Sequence, residues 1–528
     1  MNRKQEEEIR NTSKLLARNT LSRRRFLGTM FATGAGVLAY GAAPLASVVA
    51  QGGSSATIDI ANSFGRLNPV LSTAIGELTI NNAVFNKVPD LLAEPAIQED
   101  ELTWTLNFRQ GVMFHDGTEM KASDFKFTLD LLQNPDTASL FANFLTPIDG
   151  VEATGDYAAT VHLNEPFGLL PERLFVMSVL PEATFNEMGI DRFGLAPVGT
   201  GPFAFQSMIA QDRVELARHA DYFVEGLPLL DSLTYREVPE ASVRMANLVA
   251  SQSDIMEQVP PESFDIFGRA PGLVAGSGPS TRRAGFMMNC TKAPLNDARV
   301  RQALSYAIDR DAIIDTVLSG NGLPGNGTSI PPSMDNYNAD ANRYNHDPDK
   351  ARALLSEAGA EGIKIELMAG SLKFLADTVT LIKPMVEAVG IETEIRLIEV
   401  EAGYQFVFDR TFDTYTTWGN TSALGSDIDI HTRWIYGPFL GSGESLFGWG
   451  PENSDNFEKA HSLMNAAAAS ADADDRHAKY DEVQDIVSND AVEFILYWPD
   501  NLGAWRDNIT GYVPPVDDVI DASQIAKS

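Results

Sequence analysis

Two short pairs of polar residues in this sequence have the types and the spacing that catalysis requires. His115 and Asp116 are adjacent, so they could ligate a metal ion or act as a general base with its orienting acid. Asp427 and Asp429 are separated by one residue, and glycoside hydrolysis uses a pair of carboxylates. Both pairs also fit ordinary turns, because Asp accepts hydrogen bonds from nearby backbone N–H groups and Gly117 tolerates a positive φ. We favour the turn interpretation for both pairs.

The other residues that could do chemistry form no catalytic motif. The seven histidines include no His-x-His and no HExxH pattern, and the one cysteine, Cys290, has no histidine near it in the sequence. Residues 320–325 match GxGxxG, but they open no helix, whereas a dinucleotide-binding loop joins a strand to a helix. The sequence therefore predicts no metal site, no cofactor and no catalytic residue. It favours a binding protein over an enzyme, and the alternative is a secreted hydrolase that uses Asp427, Asp429 or His115.

The N-terminal segment predicts export from the cytoplasm. Residues 22–28 read Ser-Arg-Arg-Arg-Phe-Leu-Gly, and the small-residue stretch that follows ends in a cleavage pattern at Ala50. The paired arginines resemble those of a twin-arginine signal. We predict that residues 1–51 are a twin-arginine-like export signal, either removed by a peptidase or kept as an anchor. The rest of the chain would then be periplasmic or otherwise extracytoplasmic.

The charge of the chain argues against several kinds of partner. The formal net charge is −32, and a surface this acidic repels nucleic acid and anionic lipid head groups. The single cysteine permits no intramolecular disulfide, so an exported chain must rely on its hydrophobic core for stability. We predict no nucleic-acid partner, and we take a monomer as the expected state.

The pattern of apolar residues predicts strands and helices in alternation. Trp104, Leu106 and Phe108 alternate with polar residues, which indicates a half-buried strand. Apolar residues at helical spacing follow Asn296 or Asp297, and either of these two can cap the helix. Such alternation is typical of α/β folds, in which ligand sites lie beyond the carboxyl ends of the strands.

The second half of the chain continues this alternation. A strand–helix–strand unit is predicted for residues 363–399, and Pro384 should kink its helix or end its regular hydrogen bonding. A strand at 412–418 leads into a polar loop. The last predicted elements are two helices and a strand, at 455–469, 473–488 and 492–498.

Two stretches rich in Gly and Pro interrupt these elements. We predict that residues 271–280 form a crossover between lobes and that residues 320–333 form a surface loop.

Several stretches in order along the chain resemble one protein family. The most specific is residues 299–310, which read Arg-Val-Arg-Gln-Ala-Leu-Ser-Tyr-Ala-Ile-Asp-Arg. The others are residues 106–117, 122–129, 197–203, 347–359 and 498–512. Together they resemble the solute-binding proteins of ABC importers, in the peptide, nickel and opine class called family 5.

The resemblance implies an α/β fold of the two-lobed periplasmic-binding-protein type II, with an extra domain inserted in the first lobe. Residues 76–174 would be the inserted domain and residues 281–499 lobe II. Lobe I would be assembled from residues 52–75, 175–280 and 500–528. A solute would be enclosed between the lobes, and the closed lobes would dock on a membrane permease.

The resemblance also suggests which residues contact the solute. Family peptide binders carry a Trp after a lobe II strand and, three residues later, an Asp that holds the peptide amino group. Here these positions are Trp418 and Thr421. Asp427 or Asp429 could replace the missing Asp, or a solute without a free amine could be held by polar side chains such as that of Asn420. We predict solute contacts at all five residues, namely Trp418, Asn420, Thr421, Asp427 and Asp429. Core packing would also explain Trp418. As a contact, the ring of Trp418 suits a sugar or an apolar side chain equally.

The predicted function is that of the extracytoplasmic solute-binding component of an ABC importer. It would capture a peptide or peptide-like solute and deliver it to permease subunits without altering it. An oligosaccharide or another non-peptide solute is the first alternative, and the secreted hydrolase is the second.

Overall fold

The computed structural model of the chain describes residues 54–72, 74–420, 427–438 and 443–528. The predicted export signal, residues 1–51, lies outside the described residues, and so does Thr421. The strands are β1 Ser55–Ile60, β2 Ile97–Asp100, β3 Thr103–Asn107, β4 Ile148–Gly155, β5 Ala158–Leu163, β6 Phe203–Ile209, β7 Arg213–Arg218, β8 Ser232–Glu237, β9 Ile255–Met256, β10 Leu273–Gly278, β11 Arg282–Met288, β12 Gly322–Pro324, β13 Lys364–Gly370, β14 Glu392–Ile398, β15 Thr414–Asn420, β16 Glu493–Pro499, β17 Asn501–Arg506, β18 Ile509–Thr510 and β19 Ala526–Lys527. The α-helices are α1 Ile75–Val84, α2 Val88–Leu91, α3 Ala122–Gln133, α4 Leu170–Arg173, α5 Glu182–Phe193, α6 Ala241–Val249, α7 Pro261–Phe267, α8 Ala298–Ala307, α9 Arg310–Val317, α10 Pro348–Glu357, α11 Lys373–Glu387, α12 Val400–Phe408, α13 Ile428–Tyr436, α14 Phe457–Ala469 and α15 Ala473–Asn489.

The sheet of the first lobe has seven strands in the order β10-β17-β9-β1-β8-β7-β6. Its strands come from three separate parts of the chain, since β1 and β17 lie far from the block that runs from β6 to β10. β1 pairs in parallel with both β8 and β9, whereas β17 runs antiparallel to β9. The carboxyl ends of β1, β8 and β9 therefore meet at one edge of this sheet, where α/β proteins usually bind ligands.

A separate antiparallel sheet, ordered β2-β3-β5-β4, falls within residues 76–174. The strand predicted from the alternation at Trp104 and Leu106 is confirmed as β3, and both side chains are buried. α3 packs across β4 and buries Phe125, Leu129 and Leu132 at helical spacing.

The sheet of the second lobe has the order β12-β16-β11-β15-β13-β14. The predicted strand–helix–strand unit is confirmed, because β13 pairs in parallel with β14 and α11 joins them. α11 continues through Pro384 to Glu387, so the proline does not end the helix. Pro384 lacks the N–H that would donate to the carbonyl of Thr380, so the helix loses one hydrogen bond of its ladder and still continues for three more residues.

Two short crossovers connect the lobes, one between β10 and β11 and one between β16 and β17. The C-terminal segment packs against both of them. Thr281 donates its N–H to the carbonyl of Val516 at 2.9 Å, and the side chain of Asn501 donates to the carbonyl of Pro515. The two-lobed α/β fold is thus confirmed, whereas the limits assigned to the individual domains stay a prediction.

The predicted surface loop at 320–333 is wrong. Residues 322–324 form β12 at the edge of the lobe II sheet, and residues 325–331 are buried. Gly325 and Gly327 allow this burial, because a Cβ on Gly325 would lie 2.4 Å from the carbonyl oxygen of Ile495 and a Cβ on Gly327 2.7 Å from the Cβ of Ser488. The glycines serve close packing here rather than a turn.

The two largest hydrophobic clusters meet opposite faces of the lobe II sheet, and a third, smaller cluster lies around Met256 in lobe I. One cluster lies between β11 and helices α8 to α11 and includes Val300, Leu304 and Ile308, as the helical spacing predicts. A larger cluster runs from lobe I through the inserted region to α14 and α15. Among the described residues, every helix is too short or too polar to cross a membrane.

Candidate ligand-binding site

Trp418 lies at the end of lobe II that faces the crossovers. It is the third residue from the end of β15, and the last residue of that strand, Asn420, pairs with Arg282, the first residue of β11. The half-buried indole packs edge to face against Phe374, with ring centroids 6.2 Å apart. The guanidinium of Arg282 lies 5.8 Å from the indole centroid. One part of the ring is therefore held by the protein, and another part stays accessible to a solute.

Arg282 also connects this end of lobe II to lobe I. Its Nε lies 3.0 Å from Oδ1 of Asp518 in the C-terminal segment, and its Nη2 donates to Asn501 beside the second crossover. The predicted contact residue Asn420 is described here only through its backbone pairing, and Thr421 lies outside the described residues.

Asp427 and Asp429 face a different partner, Arg173 of the inserted region. Arg173 donates Nε to Asp427 at 2.5 Å and Nη2 to Asp429 at 2.9 Å. Its Nη1 donates to the carbonyl of Phe144 at 2.5 Å, and its guanidinium lies 4.5 Å from the ring centroid of Phe167. Every nitrogen of the guanidinium is thus used, and the ion pairs join the inserted region to lobe II.

The two carboxylates have further partners within lobe II. Asp427 caps α13 by accepting from the N–H of Asp429 at 2.9 Å. Asp429 accepts from Arg433 at 2.6 Å and from the hydroxyl of Tyr480 at 2.9 Å. Burial raises the pKa of Asp427 despite the neighbouring Arg173. Both aspartates are almost fully buried, at 0% and 2% exposure, which suits an interdomain contact better than a hydrolytic pair that must face a substrate.

His115 and Asp116 form a structural turn, as the turn interpretation predicts. Asp116 accepts from the N–H of Thr118 at 2.9 Å, and Gly117 has a φ of +84°. The ring of His115 packs edge to face on His219, with centroids 4.7 Å apart. Burial lowers the pKa of His115 to about 4, so the ring is neutral at physiological pH and bonds the backbone.

The two glycine-containing motifs of the first half contact each other. The N–H of Gly199 donates to Nδ1 of His115 at 3.2 Å, and the other ring nitrogen of His115 lies 3.0 Å from the carbonyl of Gly201. A Cβ on Gly199 would lie 2.2 Å from the carbonyl oxygen of Val84, so the loop approaches the end of α1 too closely for any side chain. These motifs therefore hold the fold and make no ligand site.

Among the described residues, no group of three or more His, Cys, Asp or Glu side chains is arranged to hold a metal ion. The absence of a metal site stays a prediction. Cys290 is buried, and its burial raises the pKa of the thiol. A buried, protonated thiol is a poor nucleophile.

The comparisons with known proteins decide the family. Residues 86–435 match the model of the bacterial extracellular solute-binding proteins, family 5. This chain is a family 5 solute-binding protein. It is 28% identical to the glutathione-binding protein GsiB of Salmonella typhi over 484 residues, which cover 88% of this chain and 91% of GsiB.

Two solved structures support the fold of this family 5 protein. The substrate-binding protein CtaP of Listeria monocytogenes has a TM-score of 0.80 at 21% identity, and the alignment covers 90% of this chain and 99% of CtaP. The oligopeptide-binding protein AppA of Bacillus subtilis, solved with a nonapeptide, has a TM-score of 0.74 at 23% identity with the same coverage. The family match gives the chain its role as the solute-binding component of an ABC importer, and the two structures show the two-lobed architecture of that class.

Lobe I of this solute-binding protein contributes a buried carboxyl group that sequence analysis missed. Glu257 directly follows β9, is 5% exposed, and accepts from the N–H of Ala61 at 2.8 Å. Burial raises the pKa of Glu257 to about 7. Burial, and then the charge of Glu257, raises the pKa of the hydroxyls of Tyr235 and Tyr512. Neither hydroxyl has a hydrogen-bond partner among the described residues. A carboxylate directly after a buried parallel strand was the signal that could have found it.

Proposed function

We propose that this family 5 protein captures a peptide or peptide-like solute between its lobes and delivers it to the permease subunits of an ABC importer. The observation that carries the proposal is the half-buried Trp418 at the crossover-facing end of β15, beside Arg282, whose charge also acts on Glu257 of lobe I. Relatives named for glutathione and oligopeptide binding support a peptide-like cargo. Closure follows if a solute contacts both lobes and thereby stabilises the closed state.

An oligosaccharide or other non-peptide solute is the second candidate. It is favoured by Thr421 at the position where family peptide binders carry an amine-binding Asp. Trp418 would stack on a sugar ring as readily as on an apolar side chain. We keep Trp418, Asn420 and Thr421 as proposed solute contacts. For Asp427 and Asp429 a solute contact stays a prediction, and their ion pairs with Arg173 favour a structural role.

Export, location and assembly complete the proposal. The basic segment at residues 22–28 supports a twin-arginine route to an extracytoplasmic compartment. We further propose that the protein acts as a monomer and has no catalytic activity, consistent with its place in a family of transport components.

Native mass spectrometry and a thermal shift screen test this proposal. A retained small molecule, or a rise in melting temperature with glutathione, short peptides or oligosaccharides, is expected, because a solute at 100 times its Kd stabilises the folded state by about 2.7 kcal/mol. Trp418→Ala should lose this rise while the melting temperature of the empty protein stays within about 2 °C. Turnover of a candidate solute without any rise would favour the hydrolase instead.

A further inference from the structure

A second arginine, Arg283, lies beside the proposed solute site on the opposite face of the lobe II sheet. It is the second residue of β11 and pairs with Gly419, the residue after Trp418. Since neighbouring residues of a strand face opposite sides, Trp418 and Arg283 flank the crossover-facing end of β15. A solute that lies across this end would reach both side chains.

The guanidinium of Arg283 bends back along the sheet to Glu493 of β16. Nε and Nη2 approach the same oxygen, Oε1, at 3.4 and 3.2 Å. The exposed fractions of the two side chains are 5% and 0%. Strong charged pairs are shorter, at about 2.7–2.9 Å, and use both carboxylate oxygens. The contact is therefore incomplete, and the guanidinium keeps its attraction for a second anion.

Both partners have hydrogen-bonding capacity that the described residues do not use. Nη1 of Arg283 has no acceptor among them, and Oε2 of Glu493 is buried without a donor. Leaving the Oε2 acceptor of Glu493 unpaired in a buried position is costly, so the contact with Arg283 does not fully satisfy this carboxylate. A solute carboxylate could accept from Nη1, the guanidinium nitrogen that the contact with Glu493 does not use.

Two glycines leave room around this arginine. A Cβ on Gly285 would lie 2.6 Å from Oε1 of Glu493, so a side chain there would displace the carboxylate. A Cβ on Gly419 would lie 3.5 Å from Nη1 of Arg283, so the glycine leaves that nitrogen uncovered from the side of β15. Nη1 of Arg283 therefore lies beside Gly419, next to Trp418 in β15, with no side chain of that residue between them.

We propose that Arg283 binds a carboxylate group of the solute and that Glu493 is the positioning residue that holds the guanidinium in place. A chain with a net charge of −32 repels anionic solutes at long range, so a carboxylate needs a dedicated cation at short range. Arginine suits this role because its planar fork can donate two parallel bonds to one carboxylate. This inference rests on the proposed function, and it adds that the solute carries at least one carboxylate.

Calorimetry with matched probes tests the proposal. The probes are alanyl-phenylalanine against its C-terminal amide, and glutathione against its diethyl ester, in which both carboxylates are esterified. The unaltered protein should bind the acid of at least one pair about 10–100-fold more tightly than its neutral counterpart, which is the effect of a charged hydrogen-bonded pair. Arg283→Gln should weaken binding of the acid to the level of the neutral probe and leave the neutral probe within about twofold.

Control variants separate recognition from folding. Arg396→Gln removes a half-exposed arginine from β14 of the same sheet and should change neither affinity. Arg283→Gln leaves Glu493 buried without its cation, so the double variant Arg283→Gln/Glu493→Gln keeps the site neutral if the single variant fails to fold. In the double variant, too, the preference for the acid should disappear. Glu493→Gln alone should weaken the acid only, because the guanidinium loses its support.

The outcomes distinguish the two proposals. If acid and neutral probe bind equally, or if the preference survives in Arg283→Gln, the role of Arg283 is refuted while peptide-like binding stands. If no member of either pair binds, the peptide-like function is refuted, and the inference that rests on it is refuted too.

Discussion

At the scale of single residues, burial decides what each ionisable group can do. The ring of His115 packs on His219 and bonds the backbone of Gly199 and Gly201, so its neutral form is the one the fold stabilises. Asp427 is buried as well, and although burial raises its pKa, it lies within hydrogen-bonding distance of the Arg173 guanidinium. Trp418 and Arg283 differ from both residues. The indole of Trp418 is only half-buried, and Nη1 of Arg283 has no hydrogen-bond acceptor among the described residues.

The lowered pKa of His115 predicts a loss of stability in acid. Its pKa in the folded state is about 4, below the ordinary 6.5, so its stabilising contribution is complete above pH 6.5 and is lost as the pH falls towards 4. Between pH 7 and 4.5, urea unfolding should show that the unaltered protein loses about 1–2 kcal/mol more than His115→Gln, allowing for the partial exposure of the ring. Equal losses in both proteins would show that His115 does not titrate in this range.

The ion pair between Arg173 and Asp427 predicts a structural phenotype. Asp427→Asn leaves a buried arginine without one of its carboxylates, which should lower the free energy of unfolding by about 3–5 kcal/mol. The control Asp475→Asn breaks a partly exposed pair with Lys479 and should leave the free energy of unfolding nearly unchanged. If Asp427→Asn instead keeps its stability and loses solute binding, the solute-contact prediction for Asp427 is correct.

These residue roles differ in how far the sequence could reveal them. The turn at Asp116 and the cap at Asp297 depend on neighbours within a few positions, so local patterns predict them. Arg173 and Asp427 are 254 positions apart, and no local pattern connects them. No local pattern singles out Arg283, because its position beside the proposed site depends on the strand register that pairs it with Gly419.

At the scale of elements, close backbone approach explains the Gly-rich loop at 199–201. A Cβ on Gly201 would lie 2.4 Å from the carbonyl carbon of Val84 and 2.6 Å from the nitrogen of Phe85. Backbone atoms at the end of α1 cannot move aside as a flexible side chain can. The loop therefore fixes the position of α1 against the turn that carries His115.

Gly201→Ala should accordingly destabilise the protein by about 2–3 kcal/mol, which is the upper range for overpacking a site. Gly150→Ala in β4 is the matched control, since a Cβ there meets no atom within 4 Å. Thermal unfolding of both variants checks the prediction. Similar melting temperatures for the two would mean that the loop at 199–201 can shift without cost.

Strong periodicity of apolar residues predicted helices and strands correctly. The prediction failed at a glycine-rich stretch, because glycine serves both exposed turns and close packing. The helix after Asp297 and the strand–helix–strand unit at 363–399 follow directly from apolar spacing. The stretch at 320–333 misled, because Gly325 and Gly327 serve tight packing against β16 and α15 rather than a solvent-exposed turn. Sequence alone does not distinguish these two uses of glycine.

At the scale of the whole molecule, two crossovers and a C-terminal segment join the lobes. Arg282 lies at this junction, between Asp518 of the C-terminal segment and Trp418 of lobe II. The ion pairs of Arg173 add a second connection far from the crossovers in sequence. Family resemblance predicted the lobes and their order, but this second connection became visible only in three dimensions.

The central claim is that the two lobes close around a solute and release it unchanged. Small-angle X-ray scattering with and without the solute that gives the largest thermal shift tests it most directly. A smaller radius of gyration in the presence of solute, reversed when the solute is removed and recovered intact, is the expected result. An identical scattering profile with a saturating amount of bound solute, or recovery of the solute in cleaved form, would contradict it.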